Sequence, residues 1–152
     1  MQIFIDADAC PVKEEVFRVA RRHQLTVTLV ANSPMRVPAD ESIVLVVVSE
    51  GFDAADDWIV EHAGPDDIVV SADVPLAARC VAKGARVLGV TGKPFTEDNV
   101  GDALATRNLL AKLREGGELT SGPPPFQKRD RSRFLQTLEE MIQEIRRRSP
   151  AR

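Results

Sequence analysis

The 152-residue chain contains few of the features on which several protein classes depend. Its two cysteines, Cys10 and Cys80, are far apart and form no Cys-x-x-Cys pair. The N-terminus lacks the basic segment and long apolar stretch of a secretory signal, so we expect a reducing, cytoplasmic location rather than a disulfide-rich secreted domain. No apolar run approaches the roughly 20 residues that cross a bilayer, so we expect no membrane insertion.

Two nucleotide-binding motifs and tyrosine are also absent. Without a Gly-x-x-x-x-Gly-Lys-Ser/Thr loop or a Gly-x-Gly-x-x-Gly turn, the sequence predicts neither an NTPase nor a dinucleotide enzyme. Aromatic residues make up only 5% of the chain, so base stacking is not an obvious source of sequence preference for a nucleic acid. An apolar content of 43% is sufficient for one compact domain whose core needs no metal or disulfide.

The charge is unevenly distributed along the chain. Residues 1–106 carry 9 Lys and Arg against 17 Asp and Glu, whereas residues 107–152 carry 11 against 6. A solvated basic face would explain the second segment. The combination would also suit a protein whose acidic part binds a metal and whose basic part binds a polyanion.

Short apolar runs alternate with helical periods through residues 1–118. This alternation predicts a three-layer α/β/α domain with a mainly parallel sheet of about five strands. Ile43 to Val48 is uniformly apolar, so we expect that strand to be covered on both faces. Residues 119–129 form a Pro/Gly-rich connection, and Asp130 is predicted to cap an amphipathic helix over 130–148. The apolar stripe of that helix covers either the same domain or a second subunit, which leaves a homodimer open.

Two aspartates follow the first apolar strand. Asp6 and Asp8 come directly after Ile3 to Ile5, and Pro11 suits the first turn of the helix that follows. In an open α/β sheet, ligands bind at the carboxyl ends of the strands, so these acids should face a cleft. A purely structural role is the alternative, in which Asp8 caps the helix and Asp6 closes a turn.

The same pattern recurs later in the chain. Asp73 follows the strand that begins at Ile68, and Pro75 begins the next helix. Asn32 places another polar side chain at the end of the second strand. Because crossover connections bring the carboxyl ends of parallel strands to one edge, we expect Asp6, Asn32 and Asp73 to line the same edge of the sheet.

A further acid should point toward this edge from a helix predicted over 52–63. Asp56 falls on the apolar stripe that Phe52 forms with Ala55 and Ile59, whereas Asp57 lies on the far side. Asp53 lies at the flank, where it could complement the helix dipole. A carboxylate on an apolar face needs a partner, which would be a shared metal site or, alternatively, an arginine or water at the rim.

The predicted site therefore consists of oxygen ligands. Asp6, Asp8, Asp56 and Asp73 are the candidate metal ligands, with Asp53 and Asn32 as secondary residues. Such a set suits Mg²⁺ or Mn²⁺ and disfavours zinc, which favours His and Cys. A divalent cation held there can activate water and stabilise charge at phosphorus, which is the chemistry of phosphodiester hydrolysis.

Several motifs together resemble a bacterial protein family. They are Asp6-Ala-Asp8-Ala-Cys10-Pro11, Gly51-Phe52-Asp53-Ala-Ala-Asp56, Ser71-Ala-Asp73-Val-Pro75, and Gly122-Pro followed by Lys128-Arg129-Asp130-Arg131 and Phe134. This set resembles the YaiI/YqxD family over nearly the whole chain. The resemblance implies a PIN-like fold related to NYN-type ribonucleases and a metal-dependent nuclease role. It matches Asp6, Asp56 and Asp73 to the PIN-like catalytic acids, and Asp8 and Asp53 to the family's own motifs.

Two other classes of function remain open at this point. The chain could be an RNA-binding module without catalysis, using the basic residues of the last segment: Lys128, Arg129, Arg131 and Arg133. Asp6-Ala-Asp8 also resembles the first motif of haloacid-dehalogenase-like phosphatases. However, Cys10 replaces the expected Thr or Val, and Asp66-Asp67 precede their strand rather than follow it. The expected partner is a nucleic acid, most simply RNA.

Overall fold

A computed structural model describes residues 1–49, 51, 53–117 and 125–148. In these ranges the strands are β1 (Gln2–Asp6), β2 (Thr26–Ala31), β3 (Ile43–Val47), β4 (Ile68–Val70), β5 (Arg86–Leu88) and β6 (Pro94–Phe95). The helices are α1 (Lys13–His23), α2 (Ala54–His62), α3 (Val74–Ala82), α4 (Glu97–Glu115) and α5 (Lys128–Arg148), and Ala7–Ala9 form a 3-10 turn. No helix in the described ranges is long and apolar enough to span a membrane.

The described strands form one sheet in the order β3-β2-β1-β4-β5-β6. The first five strands are parallel, as the alternation predicted, and β6 pairs antiparallel with β5. Strand β6 was not predicted from the sequence because it consists of two residues beginning with a proline. The strand order reverses direction at β1 and β4, which makes their carboxyl ends the switch point where open α/β sheets bind ligands.

Alternate residues of β1 point into two separate cores, which gives the protein three layers. Ile3 and Ile5 pack with α1 and α5, whereas Phe4 packs with α2 and α3 on the opposite face. Helix α4 lies outside these layers against α3, and none of its 19 residues is buried. The predicted α/β/α architecture is therefore confirmed.

Strand β3 is not covered on both faces, so that prediction was wrong. The sheet order places β3 at the edge, and Val44 and Val47 are 43% and 45% exposed. A uniformly apolar run can arise in an edge strand because its composition does not reveal how many neighbours the strand will have. Ile43 and Leu45 still pack into the core formed with α1 and α5.

The C-terminal helix covers its own domain. Phe134, Leu138 and Ile142 are fully buried in the core beside α1, so the apolar stripe gives no reason to expect a second subunit. Helix α5 begins at Lys128 rather than after Asp130. Asp130 lies inside the first turn, where its Oδ2 accepts a hydrogen bond from the Gln127 backbone N–H at 2.9 Å. Residues 119–124 of the predicted connection lie outside the described residues.

The other helix boundaries follow the sequence signals closely. Helix α1 begins at Lys13 with Val12 as its N-cap, so Pro11 precedes the helix rather than lying in its first turn as predicted. Helix α4 begins with a reciprocal cap in which Thr96 Oγ1 accepts from Asn99 N–H and Asn99 Oδ1 accepts from Thr96 N–H. Helix α2 spans Ala54–His62, within the predicted range of 52–63, with Asp53 and Ala63 as its caps; Phe52 lies outside the described residues.

Candidate metal centre

Three aspartates from three separate elements converge at the switch point. Asp6 ends β1, Asp73 lies in the turn between β4 and α3, and Asp56 lies in the first turns of α2. Each offers a carboxylate oxygen, and these three oxygens all lie within 4.8 Å of one another. We call Asp6, Asp56 and Asp73 the carboxylate site.

Neighbouring parallel strands bring Asp6 and Asp73 together. Ile5 of β1 is in register with Val70 of β4, so the chain segments that follow both strands leave the sheet at the same edge. Asn32 follows β2 and lies at this edge as well. The predicted common edge for Asp6, Asn32 and Asp73 is therefore confirmed.

The orientation of α2 brings in the third acid. Ala55 and Ile59 are buried against the sheet, Asp56 beside them is half-buried, and Asp57 is exposed. Asp57 instead forms an ion pair with Arg79 at 2.9 Å. The helical period thus predicted correctly which of the two adjacent acids faces the cleft.

Ser71 connects two of the three aspartates. Its hydroxyl donates a hydrogen bond to Asp6 Oδ2 at 3.0 Å and accepts one from the Asp73 backbone N–H at 2.9 Å. Ser71 is only 1% exposed, so both contacts are shielded from water. No role for Ser71 was predicted from the sequence. The signal was a polar residue at the end of a buried strand, two positions before an aspartate.

Asp73 also has a structural function. Its Oδ1 accepts a hydrogen bond from the Leu76 backbone N–H at 3.1 Å and thereby caps α3. This contact holds the side chain at the end of the helix. N-capping explains the position of Asp73 but not why Asp6 and Asp56 meet it there.

The protein environment disfavours the charged forms of two of these acids. Burial raises the pKa of Asp56 to about 6, and the negative charges of Asp73, Asp6 and Asp53 add to the effect. Burial also raises the pKa of Asp6, against the opposing hydrogen bond from Ser71. A cation bound between the carboxylates would offset both the repulsion and the loss of hydration.

The carboxylate site lies in a cavity of about 420 Å³. The other predicted site residues, Asp8, Asn32 and Asp53, line this cavity. Asp8 does not cap α1. Its Oδ2 accepts a hydrogen bond from the Asn32 backbone N–H at 3.1 Å, which links the turn after β1 to the end of β2. Asp53 and Asn32 are exposed at the rim. All six predicted oxygen-bearing side chains thus share one cavity.

Arg107 of α4 lines the same cavity and was missed by the sequence analysis. It is the one basic side chain among the described residues that line this space. Its position depends on how α4 packs against α3, and the weak apolar period of α4 does not reveal that packing. A guanidinium donates paired hydrogen bonds to carboxylate or phosphate oxygens, so Arg107 adds an anion-binding group to an otherwise acidic cavity.

The four predicted basic residues lie at the start of α5, in the helical layer that does not contribute Asp56. Arg131 forms an ion pair with Glu15, which is only 4% exposed, and stacks over Phe126 at 5.1 Å. Lys128, Arg129 and Arg133 are exposed and form no ion pair with any other described residue. Arg131 therefore stabilises the fold, and the other three remain candidates for contact with a polyanion.

The start of α5 approaches the carboxyl edge of the sheet. Arg131 Nη1 donates to the Pro11 carbonyl at 3.4 Å. Gly92, with a φ of 91°, packs so closely that an added Cβ would lie 2.7 Å from the Arg133 backbone. Only glycine fits there without a shift of the helix. The exposed cations of α5 thus lie at the same edge as the carboxylate site.

Cys10 is not a nucleophile in this arrangement. The thiol is buried, and burial raises its pKa to about 11. A thiol with this pKa stays protonated at neutral pH and is a weak nucleophile.

The donor set fits a hard divalent cation. Metal–oxygen bonds of about 2.1 Å place two oxygens on one Mg²⁺ at most about 4.2 Å apart, so oxygens within 4.8 Å of one another need only small side-chain adjustments to share an ion. All three donors are carboxylates, with no His or Cys that would favour zinc. Asp6, Asp56 and Asp73 are thus the residues that could hold Mg²⁺ or Mn²⁺.

Comparison with known proteins identifies the family. Residues 4–144 match the family described as "Uncharacterized BCR, YaiI/YqxD family". A UPF0178 protein of Bradyrhizobium sp. (strain ORS 278) is 55% identical over 150 residues, which cover 99% of this chain and 92% of that protein. A UPF0178 protein of Rhodospirillum rubrum is 55% identical over 148 residues, which cover 97% of this chain and 99% of that protein. No solved structure matches the chain. The chain therefore belongs to the YaiI/YqxD family.

Proposed function

We propose that this protein is a PIN-like, metal-dependent phosphodiesterase that cleaves RNA in the cytoplasm. The observation that supports this function is the convergence of Asp6, Asp56 and Asp73 at the switch point of the sheet, with carboxylate oxygens within 4.8 Å of one another. An all-carboxylate site in an open cleft suits Mg²⁺ or Mn²⁺ and a substrate that carries phosphate.

All three acids act as metal ligands in this proposal. Asp6 and Asp73 are held by Ser71 and by the α3 cap, so they provide rigid ligands. A divalent cation, if bound there, would supply Lewis-acid chemistry by lowering the pKa of bound water and offsetting charge at phosphorus. Asp56 completes the ligand set, and its pKa of about 6 in the metal-free protein reflects burial beside two other acids.

The residues around these acids orient them and the substrate. Asp8 and Asn32 fix the turn after β1 through their hydrogen bond, which holds the backbone beside Asp6 in place. Asp53 adds negative charge at the rim that favours cation entry. Arg107 would contact a phosphate oxygen of a bound strand. Lys128, Arg129 and Arg133 would contact more distant phosphates of a structured RNA.

The test is cleavage of labelled single-stranded and structured RNA by the purified full chain with millimolar Mn²⁺ or Mg²⁺. Asp73→Asn is the informative variant, because asparagine also caps helices well and the fold should survive. Loss of a metal ligand should reduce the cleavage rate by more than the roughly 10- to 100-fold typical of outer-shell changes. RNA binding should be unchanged or tighter, since a negative charge is removed.

Asp57→Asn is the matched control. It removes a carboxylate from the same helix as Asp56, one residue away, and breaks only an exposed ion pair with Arg79. Cleavage by this variant should equal that of the parent. If the parent binds RNA but cuts none, or if Asp73→Asn cuts as fast as the parent, a non-catalytic RNA-binding module replaces the nuclease proposal.

A further inference from the structure

A second, larger cavity adjoins the carboxylate site. Its volume is about 500 Å³, and it lies between α4, the start of α3 and the turn that leads into β6. Arg107 lines both cavities, and Val74 of this one directly follows Asp73 in the chain. We call this space the α4 groove. A nucleic-acid strand lying in the groove would lead directly to the carboxylates.

One face of α4 forms a wall of the groove. The residues that line it recur every three or four positions and include Asn99, Ala103, Thr106, Arg107, Leu110 and Arg114. This spacing places them on one side of a helix, whereas Lys112 falls on the opposite side. No residue of α4 is buried, so this face keeps apolar surface available for a ligand.

The groove combines positive charge with an apolar floor. Lys93, Arg107 and Arg114 line it, and within the described residues none of the three forms an ion pair. Asp102 is the one acid among the described lining residues. Phe95 and Leu110 add half-buried apolar surface to the lining, and we call these two residues the apolar floor. Cations beside an apolar floor match the phosphates and bases of a single strand of nucleic acid.

We propose that the α4 groove binds a segment of single-stranded RNA and directs it into the carboxylate site. Lys93, Arg107 and Arg114 contact the phosphates, and bases lie against the apolar floor. The choice of RNA over another polyanion rests on the proposed nuclease function. The groove is the main single-strand site because it shares Arg107 with the carboxylate cavity, whereas the cations of α5 lie in the opposite helical layer.

The experiment measures binding of a labelled single-stranded RNA oligonucleotide to the full chain in EDTA, where no cleavage can occur. Lys93→Ala with Arg114→Ala should weaken binding by about tenfold at low salt. The slope of log K against log salt should become shallower by about 0.7 for each phosphate that the variant no longer neutralises. Lys112→Ala, which removes a cation from the opposite face of the same helix, is the matched control and should bind as the parent does.

Two outcomes would contradict the proposal that the α4 groove binds single-stranded RNA. One is equal weakening by Lys112→Ala and by the Lys93/Arg114 pair, which would indicate only a general charge effect. The other is a parent protein that binds no oligonucleotide at low salt. Competition by inorganic polyphosphate tests the base contacts. The oligonucleotide should compete better at equal charge, and equal competition would contradict a role for the apolar floor.

The groove and the nuclease proposal can fail separately. In one case the parent binds the oligonucleotide, the groove variants bind it more weakly, and the parent cuts no RNA with Mn²⁺. The proposed RNA binding by the groove is then supported and the nuclease function is wrong. If the parent cuts RNA and the Lys93/Arg114 variant cuts and binds RNA equally well, the nuclease function is supported and the proposed RNA binding by the groove is wrong.

Discussion

The Ser71 hydroxyl donates its hydrogen to Asp6 Oδ2 at 3.0 Å across the boundary between β4 and β1. Ser71 Oγ also accepts a hydrogen bond from the Asp73 backbone N–H, so one buried side chain sets the relative positions of two acids that are 67 residues apart in sequence. Ligands held in this way need less reorganisation when a metal binds. Ser71 is therefore a positioning residue of the carboxylate site.

Ser71→Ala should weaken Mn²⁺ binding by about 10- to 100-fold, because Asp6 loses the hydrogen bond that fixes its orientation. A titration followed by electron paramagnetic resonance measures the affinity without relying on activity. Ser132→Ala, an exposed serine on α5, serves as the control and should leave the affinity unchanged. Equal Mn²⁺ affinity in Ser71→Ala and the parent would remove Ser71 from this role.

The metal-free protein should lose stability as the pH rises through about 6. The pKa of Asp56 in the folded protein is about 6 against an ordinary 3.8, so between these values the folded state holds a proton that the unfolded state has released. Stability is therefore highest below that window, falls across it while only the folded protein keeps the proton, and levels off once Asp56 is ionised in both states. Thermal midpoints in EDTA from pH 4.5 to 7.5 should show this decline in the parent.

Asp56→Asn should flatten that pH profile, since asparagine does not titrate. Its midpoint should exceed that of the parent at pH 7.5 and approach it near pH 4.5. Asp57→Asn, one residue away and exposed, should keep the slope of the parent. A parent profile that rises through pH 6 would contradict the raised pKa of Asp56.

Millimolar Mn²⁺ or Mg²⁺ should raise the thermal midpoint of the parent at pH 7.5, because an ion that binds only the folded state stabilises it by mass action. The shift should shrink toward pH 5, where protons compete for Asp56. Asp73→Asn should lose most of the shift. A midpoint in the parent that does not move with either ion would argue against a site of useful affinity.

Arg131→Ala should destabilise the fold by about 2 kcal/mol, because it leaves the carboxylate of Glu15 buried without its ion-pair partner. Urea unfolding measures the change. Arg129→Ala, which breaks no ion pair with a described residue, should alter stability by less than about 0.5 kcal/mol. Glu15→Gln combined with Arg131→Ala should recover part of the loss. If Arg131→Ala unfolds like the parent, Arg131 is free to contact RNA as the sequence predicted.

The local signals of the sequence were sufficient for much of the carboxylate site. An apolar run followed by an acid predicted Asp6 and Asp73 at one edge, and a helical period separated Asp56 from Asp57. These arguments depend on periodicity within a single element and on the geometry of crossovers in parallel sheets. For the same reason, the three-layer architecture could be predicted without knowing the strand order.

The remaining features depend on contacts between distant elements. Ser71 reaches Asp6 only because β4 pairs with β1, and strand pairing is not encoded in the period of either strand. The exposed faces of Val44 and Val47 likewise depend on the strand order. Arg131 was assigned to RNA because its partner, Glu15, lies 116 residues away in sequence.

Crystals of the full chain soaked in Mn²⁺ would test the metal centre most directly, with anomalous diffraction locating the ion. We expect an anomalous peak bounded by the carboxylates of Asp6, Asp56 and Asp73, and no such peak in crystals of Asp73→Asn grown and soaked in the same way. Parent crystals in which this position is empty at millimolar Mn²⁺, or in which Mn²⁺ binds only elsewhere on the surface, would contradict the metal centre and the hydrolytic function proposed for it.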